Sequence, residues 1–170
     1  RLLQGAGGGI GLPDALALIA ERLTGCSAAL HPLLARALID VSAIRVHTNA
    51  QANSGFLTLY SGAPISIDLL TLSNGLTKLL VRADVPAGSY RQVRLVIDSA
   101  LLELTNGNVY STAAGNLALT STGTSGLKVF IQPDLVIQGG LSRTMLLDID
   151  LSKTFHPIPA NDPLNATSFN

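Results

Sequence analysis

The sequence predicts a mainly β protein, an antiparallel β-sandwich that follows a short N-terminal helical segment. From Ile39 onward, apolar and polar residues alternate with a period of two, which is typical of strands with one covered face. Turn signals such as Asn106-Gly107 recur at short intervals between these runs, as they do in all-β domains. Residues 1–38 depart from this pattern, because they are rich first in Gly and then in Ala and Leu.

This change in composition divides the chain into an N-terminal arm, residues 1–38, and a β-sandwich domain, residues 39–170. In the arm, an apolar stripe with the i, i+3, i+4, i+7 spacing of an amphipathic helix predicts a helix at about residues 13–24. The stripe consists of Leu16, Ile19, Ala20 and Leu23. A second helix, capped by Ser27 or His31, is expected to follow and to complete a helical hairpin. Its apolar residues are Leu33, Leu34 and Leu38.

The remainder of the chain is predicted to form short strands of an immunoglobulin-like or transthyretin-like sandwich. Alternation is clearest at residues 91–98 and 145–151, each with one core face and one mixed face. Asn106-Gly107 predicts a hairpin with a type I′ turn, and Pro86-Ala87-Gly88 predicts a second tight turn. The predicted strands are residues 39–48, 56–61, 65–70, 76–82, 90–99, 101–105, 109–112, 127–131, 135–138 and 143–151.

Charge and composition exclude several classes of partner. Eleven basic and eleven acidic side chains cancel, so no electrostatic surface for nucleic acid is expected. No stretch approaches the roughly 20 uninterrupted apolar residues of a transmembrane helix. Charged residues make up only 13% of the chain, and with a net charge of zero little repels one copy from another. We therefore expect a homo-oligomer or a polymer.

Three positions bear on export and modification. Because the chain begins with Arg1 and not with Met, we expect that a leader was removed and that the protein is secreted or displayed on a cell surface. The sequence before Cys26 resembles a lipoprotein cleavage site, but charged residues interrupt its apolar segment, so lipidation is not favoured. Asn165 begins an Asn-Ala-Thr sequence that matches the acceptor for N-glycosylation.

No set of residues forms a recognisable catalytic motif. His31, His47 and His156 are scattered along the chain, and no Gly-x-Ser-x-Gly motif is present. The Gly-rich run at residues 5–11 contains no Gly-x-Gly-x-x-Gly register and is not followed by Gly-Lys-Ser or Gly-Lys-Thr, so it does not predict a phosphate-binding loop. We therefore do not expect an enzyme.

Three aspartates are candidate ligands for a metal ion. Asp148 and Asp150 project from the same face of one predicted strand, and Asp98 lies on a strand that could be its neighbour. Carboxylate oxygens are the ligands that Ca²⁺ prefers. The alternative is a solvated strand face on which basic side chains neutralise the carboxylates.

The segment around the second predicted turn resembles a known protein family. The most specific sequence is Asp84-Val85-Pro86-Ala87-Gly88-Ser89-Tyr90-Arg91-Gln92-Val93-Arg94-Leu95, which Ile97-Asp98-Ser99 follows. Ile67-Asp68-Leu69-Leu70 and Ser73-Asn74-Gly75 precede it, and residues 41–47 and 146–153 resemble other strands of the same family. On these motifs, residues 39–155 resemble domain of unknown function 4382, a family of bacterial and archaeal secreted proteins and lipoproteins. The resemblance implies an extracytoplasmic β-sandwich of unknown activity and brings no catalytic residues.

The chain differs from that family at both ends. The Asp-Ala-Pro turn that closes the family's first strand is not found, and the family's closing strand is expected to follow residues 165–170. We therefore expect a sandwich with unpaired edges, which would need a partner.

Two functions from different classes remain open. The first is a structural surface protein that forms a filament or coat by β-strand addition, using residues 1–12 as the donor in preference to the tail at residues 155–170. Its apolar anchors would be Leu2, Leu3, Ile10 and Leu12. The second is a monomeric surface module that binds a glycan or calcium through loops at residues 51–55 or 113–126.

Overall fold

The computed structural model describes residues 2–6, 15–21, 31–72, 76–119, 126–160 and 162–170. In these residues the protein is mainly β, as the sequence predicts. The strands are β1 (Leu2–Ala6), β2 (Ala15–Glu21), β3 (Leu34–His47), β4 (Leu57–Asp68), β5 (Lys78–Asp84), β6 (Gly88–Leu104), β7 (Val109–Ser111), β8 (Leu127–Ile137), β9 (Ser142–Asp148), β10 (Pro157–Ile158) and β11 (Ser168–Phe169). The described helices are short: α1 (Leu151–Thr154) and the 3-10 helices His31–Leu33, Leu69–Thr71 and Pro163–Asn165.

The larger sheet is built around the two longest strands, β3 and β6, which run antiparallel. β4 pairs with the other edge of β3. Two strands pair with the edge of β6 opposite β3: β8 with its first half and β7 with its second half. β6 therefore has neighbours along most of its length on both sides.

The smaller sheet has the order β1-β9-β2-β5. β2 lies between β9 and β5 and pairs with both, parallel to β9 and antiparallel to β5. β1 pairs antiparallel with the opposite edge of β9. Two strands of this sheet thus come from the N-terminal segment, and both of them flank β9.

Buried apolar residues from both sheets belong to one contiguous core. The larger sheet contributes Ile44, Leu95 and Leu102, and the smaller sheet contributes Leu80, Met145 and Leu147. Phe155 and Phe169, which lie near the C-terminus, are also buried in it. Because burial of apolar surface is the main favourable term in folding, this shared core holds the two sheets together.

The predicted N-terminal helices are wrong where the structure describes them. Ala15–Glu21, inside the helix predicted at residues 13–24, is strand β2. Leu34 and Leu38, assigned to the second helix, lie in β3 after the 3-10 helix His31–Leu33. Residues 15–20 form an unbroken apolar run, and such a run suits a strand with neighbours on both edges as well as it suits a helical stripe. Pairing with β5 and β9 decides in favour of the strand.

The predicted strands of the domain overlap the observed ones, with ends that differ by up to several residues, and several adjacent pairs merge. The segments predicted at residues 90–99 and 101–105 are both part of β6, and those at residues 127–131 and 135–138 are both part of β8. The hairpin at Asn106-Gly107 is confirmed, with Gly107 at φ +87°. Its loop has three residues, 105–107, and not the two of a type I′ turn. The backbone N–H of Leu104 donates to the carbonyl oxygen of Asn108, and the N–H of Gly107 donates to the carbonyl oxygen of Leu104.

In the part of the chain that the structure describes, no helix is both long enough and apolar enough to cross a membrane.

Candidate functional site

The loop at residues 48–56, which connects β3 to β4, contacts β6 beside two buried polar side chains. Gln92 and Arg94 are only 1% and 5% exposed, although they do not belong to the apolar core. They alternate along the strand with Val93 and Leu95, which do belong to it. Alternation in a strand sends successive side chains to opposite faces, so Gln92 and Arg94 lie on the face away from the core. We call this face the outer face of the larger sheet.

Arg94 ties the loop to the outer face. Its Nη2 donates a hydrogen bond to the carbonyl oxygen of Ala52 at 2.6 Å and another to Oδ1 of Asn53 at 3.3 Å. Its guanidinium carbon lies 4.1 Å from the centroid of the Phe56 ring. No described carboxylate forms an ion pair with Arg94. The buried cation is therefore stabilised by a carbonyl group and an aromatic face, both supplied by the loop.

The start of the loop is held by His47 at the end of β3. Its Nδ1 accepts a hydrogen bond from the backbone N–H of Asn49 at 2.8 Å, and its ring packs at 5.1 Å from that of Phe56. Opposite residues of paired strands share a face, so His47, Gln92 and Phe130 form a row across β3, β6 and β8. Oε1 of Gln92, in the middle of this row, is buried without a hydrogen-bond partner among the described residues.

A cavity of about 440 Å³ opens between the loop and β8. Its lining consists of Ala50, Gln51, Arg91, Phe130, Ile131, Gln132 and Asp134. The volume falls in the range of roughly 300 to 1,000 Å³ that is usual for small-ligand sites. We refer to this cavity as the loop pocket.

The loop pocket combines one apolar surface with several polar groups. Phe130 is 49% exposed, so about half of its surface is accessible to solvent. Nε of Arg91 donates to Oδ2 of Asp134 at 2.7 Å, and this pair is partly exposed to solvent. The side-chain amides of Gln51 and Gln132 make no hydrogen bond to any described residue. These groups can therefore contact a ligand that has both hydroxyl groups and an apolar face.

Sequence reasoning identified one element of the loop pocket and missed the others. It proposed residues 51–55 as a binding loop, and Gln51 does line the cavity. It missed Phe130, Arg91 and Asp134. A signal was present, because the alternation of Leu127, Val129 and Ile131 on one face of β8 leaves Phe130 on the mixed face.

The three aspartates predicted to bind Ca²⁺ lie on different parts of the fold. Asp98 belongs to β6 in the larger sheet and accepts a hydrogen bond from the Ser42 hydroxyl at 2.6 Å. Asp148 is the last residue of β9 in the smaller sheet, and Asp150 follows it. In the described part of the chain, no three His, Cys, Asp or Glu residues lie close enough together to hold a metal ion. The predicted strand adjacency of Asp98 and Asp148 is therefore wrong, because their strands belong to different sheets.

The predicted modification sites have different outcomes. Asn165 is exposed at the end of a 3-10 helix, where its Nδ2 donates to Oδ2 of Asp162 at 2.8 Å. A glycan on that nitrogen would have to displace this contact, and glycosylation stays a prediction. Cys26 lies outside the described residues.

The predicted assembly residues lie beside β9 where the structure describes them. Leu2 and Leu3 in β1 are opposite Leu147 and Leu146 of the same chain. Ile10 and Leu12 fall outside the described residues. The segment also supplies β2, in which Leu18 is opposite Val81 of β5 and Met145 of β9. We refer to the gap between β5 and β9 that β2 occupies as the strand slot.

Comparison with known families gives one finding. The model of the domain of unknown function 4382 matches residues 32–164, well over half of the chain. The chain belongs to this family. No curated protein and no solved structure matches it.

The family match begins just before β3 and ends within the 3-10 helix Pro163–Asn165. It contains both walls of the strand slot, β5 and β9. It does not contain β2, the strand that fills the slot, nor β1. The smaller sheet of this family member is thus completed by a segment that precedes the matched domain.

Proposed function

We propose that this protein is a non-catalytic structural component of the cell surface or extracellular space, and that copies of it assemble by β-strand addition. One observation carries the proposal: the strand between β5 and β9 comes from outside the family domain. The low share of charged residues and the zero net charge are consistent with self-association. The family resemblance supports the location, since its members are secreted proteins and lipoproteins of prokaryotes.

The strand slot is the feature that a neighbouring copy would use. Without β2, the backbone N–H and C=O groups of β5 and β9 that face the slot would have no ladder partners, which is costly in a folded protein. An extended segment of any origin can satisfy them by strand addition. The β2 segment of a second copy has the same sequence and can adopt the same register. Exchange of β2 would therefore replace every backbone pair that it breaks.

We also propose that the larger sheet and the smaller sheet pack face to face as a β-sandwich. The support is the core to which both sheets contribute, with Ile44 and Leu95 on one side and Leu80 and Met145 on the other. In that arrangement an empty strand slot would also uncover part of this core. Burial of apolar area contributes about 25 cal/mol per Å², so filling the slot would be favourable in addition to the backbone bonds.

A reversible cross-link tests the exchange of β2. Ala17 of β2 is opposite Arg82 of β5, so the double variant Ala17→Cys/Arg82→Cys, made in a Cys26→Ser background, can join the strand to its own domain. Oxidised at low concentration, this variant should stay monomeric when it is then concentrated. After reduction it should form polymers like those of the parent protein, as seen by light scattering and electron microscopy.

The matched control is the single variant Ala17→Cys, which carries the same new thiol but cannot close the cross-link. It should polymerise under both conditions. Polymerisation of the oxidised double variant to the same extent as the control would show that β2 is not the exchanged strand. A parent protein that remains monomeric at every concentration would overturn the assembly proposal as a whole.

Two deletions separate β2 from the donor at residues 1–12 that the sequence suggested. Removing residues 1–12 takes away β1 and the anchors Leu2, Leu3, Ile10 and Leu12 but keeps β2, so assembly should persist. Removing residues 1–21 should abolish assembly, and a peptide of residues 13–23 added in trans should then bind and raise Tm. Loss of assembly with the shorter deletion alone would assign the exchange to residues 1–12.

A further inference from the structure

The described residues that line the loop pocket lie on the larger sheet and in the loop after β3. Its chemistry can therefore be considered separately from assembly. Every described residue of its lining lies in the family-matched part of the chain. A function at this site would belong to the domain itself and would be present in the monomer as well as in a polymer.

We propose that the loop pocket binds an uncharged oligosaccharide. The exposed Phe130 ring offers a flat apolar surface on which the C–H face of a sugar ring can pack. Around it, the amides of Gln51 and Gln132 can each donate to and accept from hydroxyl groups. The terminal nitrogens of Arg91 have no partner among the described residues, so they supply further donors.

The ion pair in the loop pocket selects against a charged ligand. Arg91 and Asp134 are 2.7 Å apart, so the positive charge that would attract a carboxylate or phosphate is already neutralised within the site. Their arrangement also fixes the direction of the guanidinium group, because Nε is engaged by the carboxylate. A uronic acid brought to this position would face the Asp134 carboxylate, and its repulsion would oppose binding.

The loop pocket is held in shape before a ligand arrives. Ala50 and Gln51 lie in the loop that Arg94 anchors through the carbonyl group of Ala52 and the ring of Phe56. The backbone N–H of Gln51 also donates to Oδ1 of Asn49 at 2.9 Å, which closes a local turn. A preformed site loses less conformational entropy on binding than a mobile loop would. This suits the recognition of a sugar, whose individual contacts are weak.

Isothermal titration calorimetry with defined trisaccharides tests the proposal. The probes are the β-1,4-linked trisaccharides of glucose, xylose and N-acetylglucosamine, with trigalacturonate as the charged comparison. At least one neutral trisaccharide should bind, and trigalacturonate should bind at least about tenfold more weakly than that one. Phe130→Ala should weaken binding of the neutral ligand by about tenfold or more.

Val136→Ala is the matched control, because Val136 lies on the same strand, is similarly exposed at 44% and is not part of the pocket lining. It should change the Kd by less than about twofold. Circular dichroism and Tm establish that both variants are folded. The proposal is overturned if no neutral trisaccharide binds, if trigalacturonate binds best, or if Phe130→Ala binds as tightly as Val136→Ala.

Discussion

The guanidinium group of Arg94 lies over the ring of Phe56, with 4.1 Å between the guanidinium carbon and the ring centroid. The contact joins the most buried charge among the described residues to the end of the loop that covers it. Because the loop in turn borders the pocket, this pair links the stability of the domain to the shape of the candidate site.

Arg94→Met should destabilise the domain without changing its fold. The substitution keeps an unbranched side chain but removes the hydrogen bond to the Ala52 carbonyl and the cation over Phe56, so the free energy of unfolding should fall by about 2 to 3 kcal/mol. Urea unfolding measures this. Lys128, opposite Arg94 on β8, is exposed, so Lys128→Met should stay within about 0.5 kcal/mol of the parent. Equal losses in the two variants would contradict the role given to Arg94.

Gly126→Ala should destabilise the protein more than the same change in an open turn. A Cβ at Gly126 would lie 2.7 Å from the backbone oxygen of Leu95, and the residue has φ +66°. Gly107, at φ +87°, has nothing within 4 Å of such a Cβ. Gly107→Ala should therefore cost only the backbone strain, about 1 to 2 kcal/mol. Gly126→Ala should cost about 1 to 3 kcal/mol more, because backbone must also move. Thermal unfolding of both variants gives the comparison.

Tyr110→Phe should loosen the C-terminal segment. The buried hydroxyl of Tyr110 donates to the carbonyl oxygen of Ala166 at 2.6 Å, and the ring packs edge-on against Phe169 at 4.7 Å. Removal of the Tyr110 hydroxyl leaves the buried Ala166 carbonyl without that donor, which costs about 1 to 2 kcal/mol. Tyr60 donates to the Ala63 carbonyl in an exposed position, so Tyr60→Phe should cost less than about 0.5 kcal/mol. Denaturant unfolding measures both losses. A larger loss of unfolding free energy in Tyr60→Phe than in Tyr110→Phe would argue against a stabilising role for the Tyr110 hydrogen bond.

Amide hydrogen exchange should separate the two N-terminal strands. β2 has a ladder on both edges, whereas β1 pairs only with β9 at the margin of the sheet. Amides of residues 15–21 should exchange at least about tenfold more slowly than those of residues 2–6, because opening a central strand breaks more bonds. Mass spectrometry of peptides from the monomer measures both segments together. Equally fast exchange would mean that β2 does not fill the strand slot in solution.

The sequence predicted the larger sheet better than the smaller one, and the reason is local. Residues 91–98 alternate cleanly, and the Asn106-Gly107 turn joins β6 to its neighbour within a few residues. The strands β2 and β9 are far apart in sequence, so no local pattern could pair them. The apolar run from Ala15 to Ala20 is compatible with a helix and with a central strand, and only the partner strands distinguish the two.

The candidate sites were also hard to predict, because they depend on contacts between residues that are distant in sequence. Asp148 and Asp150 invited a metal site with Asp98, but the sheet to which each strand belongs depends on pairings that the sequence does not show. The loop pocket depends on the loop after β3 reaching Arg91 of β6 and Asp134 of β8. The amino-acid composition does not indicate the pocket either, because aromatic residues are only 4% of the chain. Overall composition does not reveal where a single exposed aromatic ring such as that of Phe130 lies.

The position of β2 also has a consequence for the order in which the protein folds. A ribosome releases β2 long before β9, and Ala15 must wait for Ser142 before that parallel pair can form. Pairs so distant in sequence carry a large loop-closure cost and form slowly. We therefore expect a newly made chain to pass through a state in which the larger sheet is folded while β2 is still free. If copies exchange β2 as proposed, the local concentration of nascent chains in that interval, more than the strength of the final ladder, would determine which copy's β5 and β9 pair with the strand.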